Sequence, residues 1–313
     1  MVESKHKWKA WLYLAPAIVL LLVFTVWPII NTLRMAFLEG YNSMAYVGGM
    51  RFAFGIGNFR QVLQYNYFLQ CLCNTMLLCV LTVPLSTMLA LLIAVCLNAI
   101  KPLQRFLQTV FFLPYVTNSI AIGMVFAAMF NMVGSAFGGE NEIIITAGIV
   151  NNVIMFFGGE PINWINAGST YAANVAVMVV YIVWNALPFK ILILLGGLQS
   201  INKQYYDAAR VDGTRRVRVF TRITVPLLSP MLAYVVITGF IGGFKEYSNI
   251  VGIFGEDMGP AGAPGRLNTM VGFIYDSLST QQGRASAAAL ILFGIIFVVT
   301  MINLAVSRKT THY

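Results

Sequence analysis

The residues able to do acid–base, nucleophilic or metal chemistry are few in this chain and badly placed for it. The two histidines, His6 and His312, stand near opposite ends of the 313 residues, which removes histidine triads and histidine-ligated metals from any interior site. Cys71, Cys73, Cys79 and Cys96 fall in one apolar stretch, where a thiol behaves as a small hydrophobe rather than a ligand or half of a disulfide. What remains suits binding, not bond-making. Tyr181, Trp184, Asn185 and Pro188 recur at i, i+3, i+4 and i+7, so a helix gathers two aromatic rings, a carboxamide and a bend on one side. Helix–helix packing or anchoring at a membrane interface would use the same face. Lys190 follows as a cation in the last third of an apolar run. The ordinary outcome for such a lysine is to snorkel to the nearer surface, and the alternative is to line the inner end of a path.

A mechanical candidate lies at 196–225. A short helix is expected over about 203–211, carrying Asp207, Ala208 and Ala209 and stopping at Asp212-Gly213, where glycine permits a left-handed turn. A second helix should run from Thr214 toward Pro226. On it Val217, Phe220 and Ile223 form one apolar stripe, and Arg215, Arg216, Arg218 and Arg222 cover the rest. Such a stripe can seat in a groove on another protein or pack on its own bundle.

These groups must be held by a membrane protein. The chain is 58% apolar and only 10% charged, against about 45–50% and about 25% in soluble domains. Runs near 11–33, 75–98, 110–132, 172–195, 226–244 and 285–306 are each long and apolar enough to span a bilayer, which gives an all-α integral membrane protein with six transmembrane helices. Lys5, Lys7 and Lys9 precede the first run as in a signal peptide, but the run is too long for a cleavable one and reads as a retained anchor. The stretch 143–159 is short, holds Asn151 and Asn152, and ends in Gly158-Gly159, so a re-entrant or surface-lying segment is expected rather than a seventh span.

Six spans put residues 1–10, the loop 196–225 and residues 307–313 on one side, and 34–74, 133–171 and 245–284 on the other. The first side, with Lys101, Arg105 and Lys190 included, has a balance of +11 and the second −2, which together make the net charge of +9. The basic side is therefore cytoplasmic. The high pI follows from topology and calls for no nucleic-acid partner.

The segment from Asp207 to Pro226 resembles the EAA loop of inner-membrane permeases of binding-protein-dependent ABC importers, with Asp207, Ala208, Ala209, Asp212, Gly213, Phe220, Ile223, Pro226 and Pro230 at its positions. The likeness extends along the chain. Leu14-Ala15-Pro16 to Trp27-Pro28, Asn58-Phe59-Arg60, Asn74-Thr75, Phe112-Leu113-Pro114, Gly148 to Asn151, Leu198 to Ile201 and Ala285 to Ala288 fall in the order seen in carbohydrate-type, MalF-like permeases. Asp207 replaces the usual glutamate, Asn202 stands where proline is common, and the stretch after Phe254 lacks the usual glycine-rich run.

The resemblance implies a type I importer permease (MetI-like) fold with a core over 75–306, in a bacterial inner membrane with both termini cytoplasmic. It implies a second, homologous permease, two ATP-binding subunits that carry the ATP and Mg, an extracytoplasmic solute-binding protein and a sugar cargo. The chain itself has no Walker A pattern and is expected to bind no cofactor. In that family the short helix of the loop docks on the ATPase, so Asp207 would pair there or cap local amides. Phe244, Tyr247, Ser248 and Asn249 match where maltose-type permeases touch sugar and join Tyr181, Trp184, Asn185 and Lys190 as candidate path residues. Gly239, Gly242 and Gly243 are expected to serve close helix packing. Segments 36–70 and 133–171 would receive the binding protein, with Glu140, Glu142 and Glu160 as candidate contacts or plain solvating charges. The rival is a proton- or ion-coupled secondary transporter, which needs a carboxylate or histidine inside a span, and none of the six runs contains one.

Overall fold

The computed structural model describes residues 7–100, 104–137 and 143–310. Lys5, Lys101, Glu140, Glu142 and both histidines lie outside them. The chain divides into two compact units, residues 1–69 with 273–293, and 70–272 with 294–313.

In the first unit, α1 covers 7–37 with a π-helical stretch at Leu22–Val26. The ring of Pro28 would strike the carbonyl of Phe24 in a regular helix, and widening the turn at that point relieves the clash. None of the side chains in the apolar window of α1 is buried, the pattern of a helix surrounded by lipid. Two short helices follow, α2 (Ser43–Val47) and α3 (Gly57–Gln64). Buried Asn58 of α3 fixes the chain at the end of α1 and before α2: its Nδ2 donates to the carbonyls of Ala36 (3.0 Å) and Leu38 (2.7 Å), and its Oδ1 accepts from Gly40 N.

In the second unit, α4 (Asn66–Ala99) begins nine residues before the expected span at 75. The added turns are polar and bind backbone. Asn74 Nδ2 donates to the carbonyls of Arg266 (3.0 Å) and Asn268 (2.9 Å), so hydropathy trims the helix where it is still regular.

The expected span 110–132 is two helices, α5 (Gln104–Val116) and α6 (Ser119–Phe130), bent by 98°. The first runs through Pro114 to Val116, and the Asn118 side chain caps the second by accepting from Ile120 N at 2.8 Å. An antiparallel hairpin follows, β1 (Met132–Phe137) with β2 (Ile143–Ala147), an exception to the all-helical expectation. The β-branched run Ile143 to Thr146 favours it. Next comes α7 (Ile149–Phe156), so 143–159 is a strand and a short helix, not a span.

The long helix α8 (Tyr171–Ser200) leads into α9 (Lys203–Val211), then α10 (Arg216–Leu227) and α11 (Ser229–Gly243), the last two bent by 67° at Leu228. The expected span 226–244 thus starts three residues later, because Pro226 and Pro230 flank the break. A short α12 (Ser248–Phe254), α13 (Met270–Leu278) and α14 (Gln282–Thr310) complete the chain. Four helices are long and apolar enough to be unbroken spans, and the number is six where each bent pair makes one crossing.

Two cores hold the second unit. One joins α6, α8 and α12 around Phe130, Met178, Tyr181 and Ile250; the other joins α4, α8 and α11 around Ala94, Leu194, Leu198 and Leu228. At α6 and α12 the backbones nearly touch: a Cβ on Gly123 would lie 2.6 Å from Gly252 Cα.

Candidate functional site

The loop after α8 is built by local bonds. Asn202, in place of the family's usual proline, is the N-cap of α9, its Oδ1 accepting from Gln204 N at 3.0 Å. At the other end Gly213 takes φ +67°, Thr214 N donates to Ala209 O (2.9 Å) and Gly213 N to Arg210 O (3.1 Å). That pair of bonds is a Schellman closure, which satisfies carbonyls that α9 would otherwise leave open. Ala209 is buried beneath the helix while Ala208 faces out beside a half-exposed Asp207. Asp207 pairs with Arg210 at 3.7 Å. Both side chains are substantially exposed, so this contact adds little stability.

The second helix of the loop differs from expectation in register. It starts at Arg216, not Thr214, and is π-helical over Phe220–Thr224, where Pro226 disturbs the carbonyl of Arg222. The wider turn breaks the expected stripe: Phe220 and Ile223 are half-buried, but Val217 is 75% exposed. Tyr206 of α9 meets Thr224 of α10 through their hydroxyls at 3.3 Å, tying the two arms. Ala208, Asp212 and Ile223 border a surface depression between them.

The second feature is a cavity of about 310 Å³ among α4, α8, α11 and the turn that follows α11. Lys190 does not snorkel. It is 4% exposed, and its Nζ donates to Ser86 Oγ (2.7 Å), Thr87 Oγ1 (3.0 Å) and Val83 O (3.2 Å). Three hydrogens meet three oxygens on one turn of α4, and that local solvation replaces the trip to the surface. Asn185 also lines the cavity and donates to Asn249 Oδ1 at 3.0 Å. Asn249 in turn donates to the carboxylate of Glu246, which also accepts from the backbone N–H groups of Tyr247 and Asn249.

Glu246 was not anticipated. The six-span reading leaves it in the outer segment 245–284, yet it is 9% exposed and lines the cavity. The signal was available, since it is the single acid between Asp212 and Glu256 and stands two residues past an apolar run. Thr82, Ser86, Tyr115 and Phe189 also line the cavity unforeseen, the last two rings stacked 5.8 Å apart.

Of the eight expected path residues, Asn185, Lys190 and Asn249 meet at the cavity. Tyr181 does not. It is fully buried, packs on Phe126 at 4.8 Å and donates its hydroxyl hydrogen to Ser119 O. Trp184 packs on the same phenylalanine at 5.1 Å, Phe244 is buried, Tyr247 leans on the core, and Ser248 is exposed at the start of α12. The four-residue face on α8 therefore divides, because neighbouring α6 covers its aromatic half. Among the three glycines, Gly239 and Gly243 do pack closely, against Val83 and Lys190 and against Cys79. Gly242 instead faces the cavity with nothing within 4 Å of a built Cβ.

The chain is 28% identical over 298 residues to the lactose transport system permease protein LacF of Rhizobium radiobacter, covering 94% of this chain and 91% of that one. It is 28% identical over 301 residues to the arabinooligosaccharides transport system permease protein AraP of Bacillus subtilis, covering 95% and 88%. Its fold is shared, at 20% identity and a TM-score of 0.76 over 98% of this chain and 96% of that one, with a chain of a bacterial alginate ABC transporter solved in complex with an alginate pentasaccharide-bound periplasmic protein. The family model for binding-protein-dependent transport system inner membrane components matches residues 83–312, which include the loop and all of the cavity lining but Thr82. The chain belongs to that family, and is a multi-pass inner-membrane transport component rather than a catalytic enzyme.

Proposed function

We propose that this chain is one permease subunit of an ATP-driven importer of sugars or oligosaccharides, forming half of the translocation path. A second, homologous permease supplies the other half, and two ATP-binding subunits, which hold the ATP and Mg, drive the cycle. An extracytoplasmic solute-binding protein delivers the cargo, and both termini of the chain face the cytoplasm of a bacterium. The cargo class rests on the relatives named for lactose and arabinooligosaccharides. The binding protein rests on family membership and on the periplasmic protein in the structurally similar complex.

The observation that carries the reading is the capped, exposed helix–turn–helix at 203–227, whose two arms continue the helices that border the cavity. Asp207, Ala208 and Gly213 sit at its outer bend, where a driving subunit would seat. A carbohydrate path needs hydrogen-bonding groups and some aromatic surface, and Asn185, Asn249 and the stacked Tyr115 and Phe189 supply both.

The decisive measurement is uptake of radiolabelled oligosaccharide by the assembled complex in proteoliposomes, with the binding protein outside the extracytoplasmic face and ATP at the other. Accumulation should require both and should survive ionophores that collapse proton and sodium gradients. Uptake that proceeds without ATP and stops with an ionophore would establish the secondary-transport alternative instead.

A further inference from the structure

Two ionisable side chains, one basic and one acidic, line the cavity without touching. Apart from the Tyr115 phenol, Lys190 and Glu246 are the ionisable groups among the described residues that line it, 4% and 9% exposed. They are not paired with each other: the partners of Lys190 Nζ are Val83, Ser86 and Thr87. Each is solvated separately by neutral dipoles: the ammonium by Ser86, Thr87 and the Val83 carbonyl on α4, the carboxylate by Asn249 and two backbone N–H groups. They also sit on different elements, Lys190 on α8 and Glu246 in the turn after α11.

Burying two separate charges is costly, and a core that needed only cohesion would do better with apolar residues of the same volume. What the separated arrangement provides is a balanced field. A lone ammonium in such a cavity would draw anions into it, and a lone carboxylate would draw cations, because the low-dielectric walls screen poorly. Together their opposite potentials offset one another, leaving hydroxyls and carboxamides as the groups that a passing solute meets.

We propose that Lys190 and Glu246 act as a charge-balanced pair that makes this cavity selective for uncharged, polyhydroxylated cargo and disfavours ionic solutes of either sign. The proposal rests on the sugar-import reading and adds the charge class of the cargo.

The test uses the assembled importer in membranes, with a cysteine at the open cavity position in a Cys73→Ala, Cys96→Ala background. Gly242→Cys suits this because a side chain there meets nothing within 4 Å. The probes are the cationic trimethylammonioethyl and anionic sulfonatoethyl methanethiosulfonates, and the readout is the ratio of their labelling rates, corrected for intrinsic reactivity. With both charges present the ratio should be near one. Lys190→Met should raise the cation preference roughly tenfold, Glu246→Gln should lower it by a similar factor, and the double variant should return it to the starting value. Ratios that stay put, or that move the same way in both single variants, overturn the proposal. Should a single variant fail to accumulate, recovery of the double variant to normal levels supports the pairing and loss of both refutes it. Sugar uptake is measured in parallel: ratios that behave as expected in a complex that moves no sugar would defeat the transport reading and leave the balance of charge standing.

Discussion

Replacing Gly213 isolates a backbone cost at the outer bend of the loop. The residue holds φ +67°, and a Cβ built there has no atom within 4 Å, so crowding by neighbours contributes nothing. What remains is the intrinsic penalty for an L residue in the left-handed region, about 1–2 kcal/mol, smaller for asparagine and larger for a β-branched side chain. The two hydrogen bonds that close α9, Thr214 to Ala209 and Gly213 to Arg210, depend on that conformation. A penalty of about 1–2 kcal/mol lowers the population of the closed bend by a factor of about 5–30. Since the strain stays outside the apolar core, the variants should insert normally. The assay is initial uptake rate and ATP hydrolysis in the assembled complex, with the amount in the membrane measured by immunoblot. Gly213→Asn should approach the parent, Gly213→Ala should lose uptake severalfold, and Gly213→Val should lose tenfold or more while hydrolysis becomes uncoupled from transport. Full uptake by Gly213→Val at normal levels would show that the left-handed bend is not part of the drive.

Three further outcomes follow from the packing. Gly123→Ala should destabilise the chain by about 1–3 kcal/mol, read as a lowered unfolding midpoint in detergent, because its Cβ would fall 2.6 Å from backbone that cannot swing aside. Gly239→Val should cost more stability than Gly242→Ala in the same measurement, since a Cβ at 239 lies 3.1 Å from Val83 Cγ1 and 3.2 Å from Lys190 Nζ whereas one at 242 is free; equal losses would contradict the glycine assignments. Tyr181→Phe should cost about 1 kcal/mol of stability and leave the KM for uptake unchanged, while Asn249→Ala should raise KM, because only the second side chain lines the cavity.

Much of the fold is legible in the sequence because lipid imposes a simple requirement: about 20 apolar residues per crossing, with positive charge left on one side. The helix–turn–helix at 203–227 is legible too, since caps and turns are local, and Asp212-Gly213 marks its bend to the residue. What composition cannot register is where a helix breaks without losing its apolar character. Residues 110–132 read as one run, yet Asn118 offers a cap in mid-run and the helix turns by 98° there. The path residues are harder still. Tyr181 and Asn185 share a helical face, and only the position of Phe126 decides that the first is core and the second lines the cavity. Lys190 looked like a snorkelling cation because its partners, Ser86 and Thr87, lie a hundred residues away in the chain.

That distant contact bears on how a push at the loop would reach the cavity. Ser200 ends α8 ten residues beyond Lys190, about 15 Å of continuous helix at 1.5 Å per residue. Along those turns Leu194 and Leu198 pack against Ala94 of α4 and Leu228 at the start of α11, and interiors packed at this density shift as blocks rather than deform. Leu228 is also the point where α10 bends by 67° into α11, so the second arm of the loop enters the same block. A tilt of α9 and α10 is therefore delivered to α8 and α11 together. Those helices carry Lys190 and Gly239, which meet Val83 at the one turn of α4 that holds the ammonium. The lysine then has a second consequence besides its charge: it ties α4 to the moving pair. If that is so, Lys190→Met should blunt the uptake of neutral sugar by weakening this tie, and restoring the neutral cavity with Glu246→Gln should repair the labelling ratio without repairing the rate. Recovery of both in the double variant would mean that the ammonium serves the field alone.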